Sequence, residues 1–336
     1  MPIEPVTPWK LPVAVVVPCY KVRRHILVVI GRLAGKVARV YVVDDCCPEK
    51  SGQLVLESCD ASFVTVLFHQ ANQGVGGAVI TGYRKALADG HDIVVKMDGD
   101  DQMDPADLPA LVAPLLAGDS DYTKGNRFFD LYSLGAMPVA RLVGNAGLSF
   151  ISKFASGYWD VMDPTNGYTA IHRTALEKIP LDKLERRYFF ESDMLFRLAT
   201  LRAVVRDVPM PAIYGDETSN LRISRVLRDF PRMFLSRVCK RFFYMYVLRD
   251  FNAGSVATLA GLPLLMFGLL FGTVHWIDSV HHDRFASTGT VMIAVLPIVI
   301  GMQMLLSAMG YDIANRPDTP LQRLQPRRLA GRDGSA

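Results

Sequence analysis

Val94-Val95-Lys96-Met97-Asp98-Gly99-Asp100-Asp101-Gln102 is a run of strand-forming residues that breaks abruptly into acids. β-branched residues suit a pleated, buried strand. Gly99 separates two carboxylates, Asp98 and Asp100, at the point where such a strand would end. A strand that stops this way presents oxygen ligands at the carboxyl edge of a sheet. In α/β folds that edge is where ligands bind.

Working outward, residues 11–210 alternate between the two periodicities. Strands are expected at residues 13–17, 37–43, 63–68 and 93–97, and helices at 26–33, 77–88 and 105–116, with Pro105 suited to a first helical turn. This rhythm predicts an α/β fold with a mostly parallel sheet covered on both faces. Pro18, the pair Asp44-Asp45, and Asp98 with Asp100 all fall at expected strand ends. They are therefore expected to converge on one crevice.

The C-terminal third differs. The apolar fraction of the whole chain is 50%, and the excess is concentrated in residues 251–277 and 285–311, two 27-residue runs without Asp, Glu, Lys or Arg. About 20 helical residues cross a hydrocarbon core of ~30 Å. Two transmembrane helices are expected, at about 254–277 and 288–311. Pro263 and Pro297 do not exclude them, because neighbouring helices can re-satisfy the freed backbone groups. Two buried helices of a soluble domain would show the same composition. Eight basic residues fall within 221–249 against the single acid Asp229, and five arginines follow residue 311, whereas the connection carries only Arg284. The positive-inside rule places both ends in the cytoplasm. Residues 221–250 are expected as basic amphipathic juxtamembrane helices, facing anionic lipid or packed on the soluble domain. Residues 1–10 form an extension with no signal-peptide core, and residues 312–336 form a cytosolic tail expected to be disordered. The net charge of +4 is a local excess at the membrane and gives no sign of nucleic-acid binding. The five cysteines are odd in number and lack metal-type spacing, which suits reduced thiols in a cytosolic domain.

Asp98-x-Asp100 suits Mg²⁺ or Mn²⁺, which take one or two carboxylates and complete their shell with substrate phosphate oxygens. Gln102 and Asp104 would support that shell or close the turn. A calcium loop is excluded, because its sixth position is Met103 and its twelfth is Pro109. Asn72-Gln73-Gly74-Val75-Gly76-Gly77 is a glycine-rich loop before a helix, which would let backbone approach an anionic ligand. A nicotinamide-dinucleotide fingerprint is disfavoured. Val79 stands where it needs Gly or Ala, and the loop follows the third strand. Asp44 or Asp45 would accept hydrogen bonds from a nucleobase or ribose, or cap a turn.

Six motifs occur in order: Val17-Pro18-Cys19-Tyr20, Val42-Val43-Asp44-Asp45, Asn72-x-Gly74-x-Gly76, Asp98-x-Asp100, Gly125-Asn126-Arg127 and Asp163-Pro164-Thr165-Asn166-Gly167-Tyr168. Over residues 11–225 the chain resembles the family 2 glycosyltransferases. Within them it is most similar to the membrane-anchored branch that uses polyprenyl phosphates, akin to dolichyl-phosphate mannose synthase and undecaprenyl-phosphate glycosyltransferases. The resemblance implies a GT-A domain over 11–220. It implies that Pro18, Tyr20 and Asp45 line a nucleoside pocket, and that Asp98, Asp100 and Gln102 hold metal and diphosphate. Arg127 and Arg141 would meet the acceptor phosphate. Guanidinium forks suit phosphate, and Lys124 adds charge beside Arg127. Relatives commonly carry Asn-Glu where Lys21-Val22 stand here, so a carboxylate is missing from the expected nucleotide contact and donor specificity stays open.

Among Asp163, Glu191 and Asp193, the expected carboxylate for orienting acceptor or donor is Asp193, then Asp163. A sugar hydroxyl needs a general base, whereas a lipid phosphate is already anionic. Residues 215–221 suit a lid. The expectation is a membrane-anchored inverting transferase moving a sugar to polyprenyl phosphate. UDP-sugars are favoured as donors and GDP-mannose is admitted, as is a homo-oligomer. A family 2 transferase with a hydroxyl acceptor, and an inactive membrane tether or lipid sensor, are the alternatives.

Overall fold

The computed structural model describes residues 13–129, 139–211 and 223–324. It forms two compact units, residues 1–237 with 317–336, and residues 238–316.

The first unit is built on β1 (Val13–Cys19), β2 (Arg39–Asp44), β3 (Val64–Phe68), β4 (Ile93–Lys96), β5 (Tyr122–Asn126), β6 (Thr169–His172) and β7 (Val205–Pro209), in the order β3-β2-β1-β4-β6-β5-β7. The β1–β2, β2–β3, β1–β4 and β5–β7 pairs are parallel, while β6 runs antiparallel to both β4 and β5. The sheet is thus mostly parallel, with one reversed strand that the periodicity did not announce.

Alternation along each strand feeds two cores. Val13, Val15, Val17, Val40, Val42 and Val95 face one side with helices α1 (Ile26–Leu33) and α4 (Leu108–Leu116). Ala14, Val16, Tyr41, Val43 and Val94 face the other with α3 (Val75–Ala88) and α7 (Phe190–Leu201). In α1 the buried residues Ile26, Val29, Ile30 and Leu33 follow helical spacing. Three more helices belong to this unit: α2 (Ser51–Ser58), α5 (Val139–Ser156) and α6 (Arg173–Leu176). All five cysteines are unbridged.

Residues 221–249 resolve into one helix, α8 (Ile223–Phe242), which runs into a wider π-helical turn at Phe243–Arg249. Within the first unit, α8 packs through Phe230 and Phe234 against Phe189, and buries Arg237. That face therefore serves the domain and not lipid. The tail expected to be disordered is docked over part of its length. In α11 (Leu321–Leu324), Leu321 joins a core, and its N–H and that of Gln322 donate to the buried Asp121 carboxylate at 2.9 and 3.3 Å. Asp121 lies just before β5, and its apolar and hydrogen-bonded reception of the tail needed tertiary contacts to appear.

The second unit is a helical hairpin of α9 (Ala253–His281) and α10 (Thr288–Ala314). Asn252 and Ser255 form a capping box at the start of α9, and Ser287 caps α10. Asp312 accepts from both Arg241 and Tyr246. The pair meets along glycines. Gly254, Gly261 and Gly268 recur every seven residues on α9, as do Ala294 and Gly301 on α10. This seven-residue seam of small residues brings the backbones together. A Cβ on Gly301 would lie 2.6 Å from the Leu265 nitrogen. Gly301→Leu is expected to force the helices apart, costing about 1–3 kcal/mol. A lowered unfolding midpoint in detergent would show it, and an unchanged midpoint would contradict this packing.

Candidate active site

β1, β2 and β4 end at one rim. The chain leaves β4 through a tight reversal in which Asp101 takes a left-handed conformation, φ 63°, and pairs with Arg32 at 2.9 Å. The Gln102 N–H donates to Asp100 at 3.2 Å, and the Asp98 N–H to the Met103 sulfur at 3.2 Å. Asp104 caps the following 3₁₀ turn, accepting from the Ala106 N–H at 2.9 Å. These local bonds aim Asp98, Asp100 and Gln102 into one cavity of about 110 Å³, which Arg127 and Asn166 also line. The two acids of the opening motif share a cavity, and the cavity lies at the strand rim.

Beneath this turn lies Lys96, which the sequence reading passed over. Its side chain is 1% exposed, and its ammonium reaches Asp98 at 2.9 Å and Glu191 at 3.2 Å. It also donates to the Gly167 carbonyl at 3.2 Å. Burial opposes this charge, but Asp98 and Glu191 outweigh it and push the lysine pKa up. The alternation of β4 held the signal: Lys96 follows Val94 on the face covered by α7. The structure also separates Glu191 from Asp193. Asp193 is fully buried and accepts from Arg237 at 2.7 Å, Arg197 at 3.3 Å and the Glu185 N–H at 3.1 Å. It does not line the cavity. Glu191 does not line it either, but residues two apart on a helix point about 200° apart, so Glu191 reaches Lys96 while Asp193 faces Arg237 and Arg197.

Arg127 meets Asp163 as a two-pronged fork, Nε at 2.7 Å and a terminal nitrogen at 3.1 Å. Asp163 is fully buried, so this carboxylate holds the arginine's orientation. Lys124 is also fully buried and donates to the Asn166 carbonyl. The α/β sheet explains this: Lys124 sits mid-strand in β5, where all five residues are buried. Burial pulls its pKa down to about 8, against the opposing pull of Glu191 and Asp163. Between about pH 8 and the ordinary 10.5 the folded chain then binds fewer protons at Lys124 than the unfolded chain. Stability therefore rises across that window and is flat below it from this source. Lys124→Met should flatten the rise, read as denaturation midpoints between pH 8 and 10.5.

Asp44 and Asp45, expected at a nucleoside wall or as turn caps, both bond within the chain. Asp44 accepts from the N–H groups of Cys47 and Gly52, both at 2.7 Å, and so organises the loop after β2. Asp45 accepts from Gln73 and Gly74 N–H groups, both at 2.8 Å, and contacts His69 at 2.7 Å. Gly74, at φ 88°, and Gly76 each leave room for backbone: a Cβ would lie 2.5 Å from the carbonyl oxygens of Arg186 and Glu185 respectively. The Gly77 N–H donates to Arg186 at 3.0 Å. These glycines therefore admit a close approach by the segment before α7. Pro18 lies near the end of β1, and Tyr20, 41% exposed, lies just beyond it at the rim. Arg141 falls within α5 with its side chain outside the described residues, as are residues 215–221.

This fold is GT-A-like. A solved glucosyl-3-phosphoglycerate synthase from Mycobacterium tuberculosis, in complex with Mn²⁺ and UDP-glucose, superposes with a TM-score of 0.52 at 20% identity, covering 68% of this chain and 80% of that one. Residues 14–180 match the model of glycosyl transferase family 2. An undecaprenyl-phosphate mannosyltransferase from Micrococcus luteus is 31% identical over 202 residues, 59% of this chain and 82% of its own. A UDP-N-acetylglucosamine–dolichyl-phosphate N-acetylglucosaminyltransferase from Methanococcus voltae is 34% identical over 167 residues, 50% of this chain and 66% of its own. The chain belongs to glycosyl transferase family 2 and is a glycosyltransferase.

Proposed function

We propose that the protein transfers a sugar from a nucleotide-sugar donor to a polyprenyl phosphate, at a membrane surface and with inversion. The observation that carries this reading is the shared cavity of Asp98, Asp100, Gln102 and Arg127 at the strand rim. Among the described residues no three His, Cys, Asp or Glu side chains converge as a closed metal cage. Mg²⁺ or Mn²⁺ fits such a set, since it binds through one or two carboxylates plus substrate phosphates. Asp98, Asp100 and Gln102 would hold it. When bound, the cation neutralises charge on the departing nucleoside diphosphate.

The carboxylates favour this acceptor. Asp163 and Asp193, expected to orient acceptor or donor, are paired with arginines, and Glu191 is paired with Lys96. To serve a hydroxyl acceptor as base, one of the three would have to leave its partner. A phosphate, with a second pKa of about 6, needs no base. One phosphate oxygen forms the new bond to the anomeric carbon as the bond to the diphosphate oxygen breaks, in line. The chain's part is positioning and charge stabilisation, with Arg127 aimed by Asp163. Both named relatives act on polyprenyl or dolichyl phosphates, which supports this acceptor class. UDP-sugars are favoured as donors, with GDP-mannose next.

The hairpin supports membrane anchoring. Its helices have 29 and 27 residues, and only 11% of each apolar window is buried, unlike core helices of a soluble domain. The basic flanks support a topology with both ends on the cytoplasmic side. The test is transfer of labelled sugar from UDP-sugars or GDP-mannose to polyprenyl phosphate with Mn²⁺. Lipid product labile to mild acid is expected. An acid-stable product would replace this reading with a hydroxyl acceptor.

A further inference from the structure

Lys96 is the buried group that the proposed chemistry does not use. It ends β4, two residues before Asp98, and its ammonium is shared by Asp98, Glu191 and the Gly167 carbonyl. Three elements therefore meet on one cation: the acidic turn, helix α7 and the approach to β6. The fit is tight. A Cβ on Gly167 would lie 2.3 Å from the Lys96 ammonium nitrogen and 2.6 Å from the second oxygen of Asp98. Glycine at 167 leaves space for the pair, and its carbonyl helps to fix it.

One oxygen of Asp98 is thus held by the protein. Its other oxygen, beside Asp100, is the one that would serve a donor and its cation. An Asp98 carboxylate without this contact would have to be ordered when the ligand arrives, and ordering costs affinity. We propose that Lys96 is a positioning residue for the donor site: it fixes Asp98 in its liganding orientation and ties it, through Glu191, to helix α7. This rests on the functional reading above.

The test uses the full-length protein in detergent, with Mn²⁺ and UDP or GDP as probes. Lys96→Met alone leaves two neighbouring carboxylates without their cation and can fail to fold. The double variant Lys96→Met/Glu191→Gln removes one charge of each sign. It is expected to keep its thermal unfolding midpoint close to that of the parent. Its Mn²⁺-dependent nucleotide affinity should fall about 10–100-fold, the usual effect of losing a group that orients a metal ligand. The donor KM should rise while the lipid-acceptor KM stays unchanged. Glu191→Gln alone, which leaves Asp98 its cation, should lose much less. A folded double variant with parental Mn²⁺-nucleotide affinity and donor KM would overturn the positioning role alone. A parent protein that binds no Mn²⁺-nucleotide would overturn the functional reading, and the role of Lys96 with it.

Discussion

Asp100→Asn is expected to lower sugar transfer by at least about 10²–10³-fold while the protein remains folded. Asp100 is half-buried, lines the cavity, and accepts from the Gln102 N–H within its own turn. Asparagine keeps that acceptor and the side-chain volume, so the turn should persist. The lost negative charge removes the oxygen best suited to a hard divalent cation. The effect should appear in kcat of labelled transfer at saturating Mn²⁺, with an unchanged unfolding midpoint. Parental turnover in this variant would favour the membrane tether, because a tether needs the fold but not the cation site.

Asp193→Ala should produce the opposite pattern, with stability lost first. Asp193 is fully buried between Arg237 and Arg197, and it also receives the Glu185 N–H. Removing one partner of a buried ion pair costs about 3–5 kcal/mol, because the remaining charge stays desolvated. Among the described residues, Arg237 would keep Glu185, at 2.8 Å, as its carboxylate partner. The expected result is a large drop in denaturation midpoint, with transfer by the surviving folded fraction close to normal. If Asp193 is instead the acceptor's base, the variant should unfold like the parent and lose turnover. Both quantities measured on one preparation separate the cases.

The elements with strong periodicity were legible in the sequence. Helix α1 occupies the expected residues 26–33, and the strands at 13–17, 63–68 and 93–97 were placed to within two residues at either end. The D-x-D turn was legible because an apolar strand ending in spaced acids leaves few options for those acids except the rim. Strands β5 to β7 were not named. Tyr122-Thr123-Lys124-Gly125-Asn126 has no apolar alternation, and it is a strand because both neighbours bury it. Arg127 was expected at the acceptor phosphate from the family resemblance, and Lys124 was added because it lies beside Arg127. Whether each charge faced a ligand, a backbone carbonyl or a carboxylate depended on residues about 40 positions away, Asn166 and Asp163.

By itself, the sequence determined the α/β class, the two long apolar helices and the acidic turn at the sheet's rim. Each follows from local spacing and composition, which act over a few residues. The tertiary structure alone decided which charges are available to a ligand. Pairing inside a low-dielectric interior is set by whichever groups the fold brings within about 3 Å. It committed Asp45 to the glycine loop, Asp193 to Arg237, and Lys96 to Asp98 and Glu191. It also packed the backbone of residues 185 and 186 against Gly74 and Gly76, a close approach that missing Cβ atoms permit but whose partner the sequence does not name.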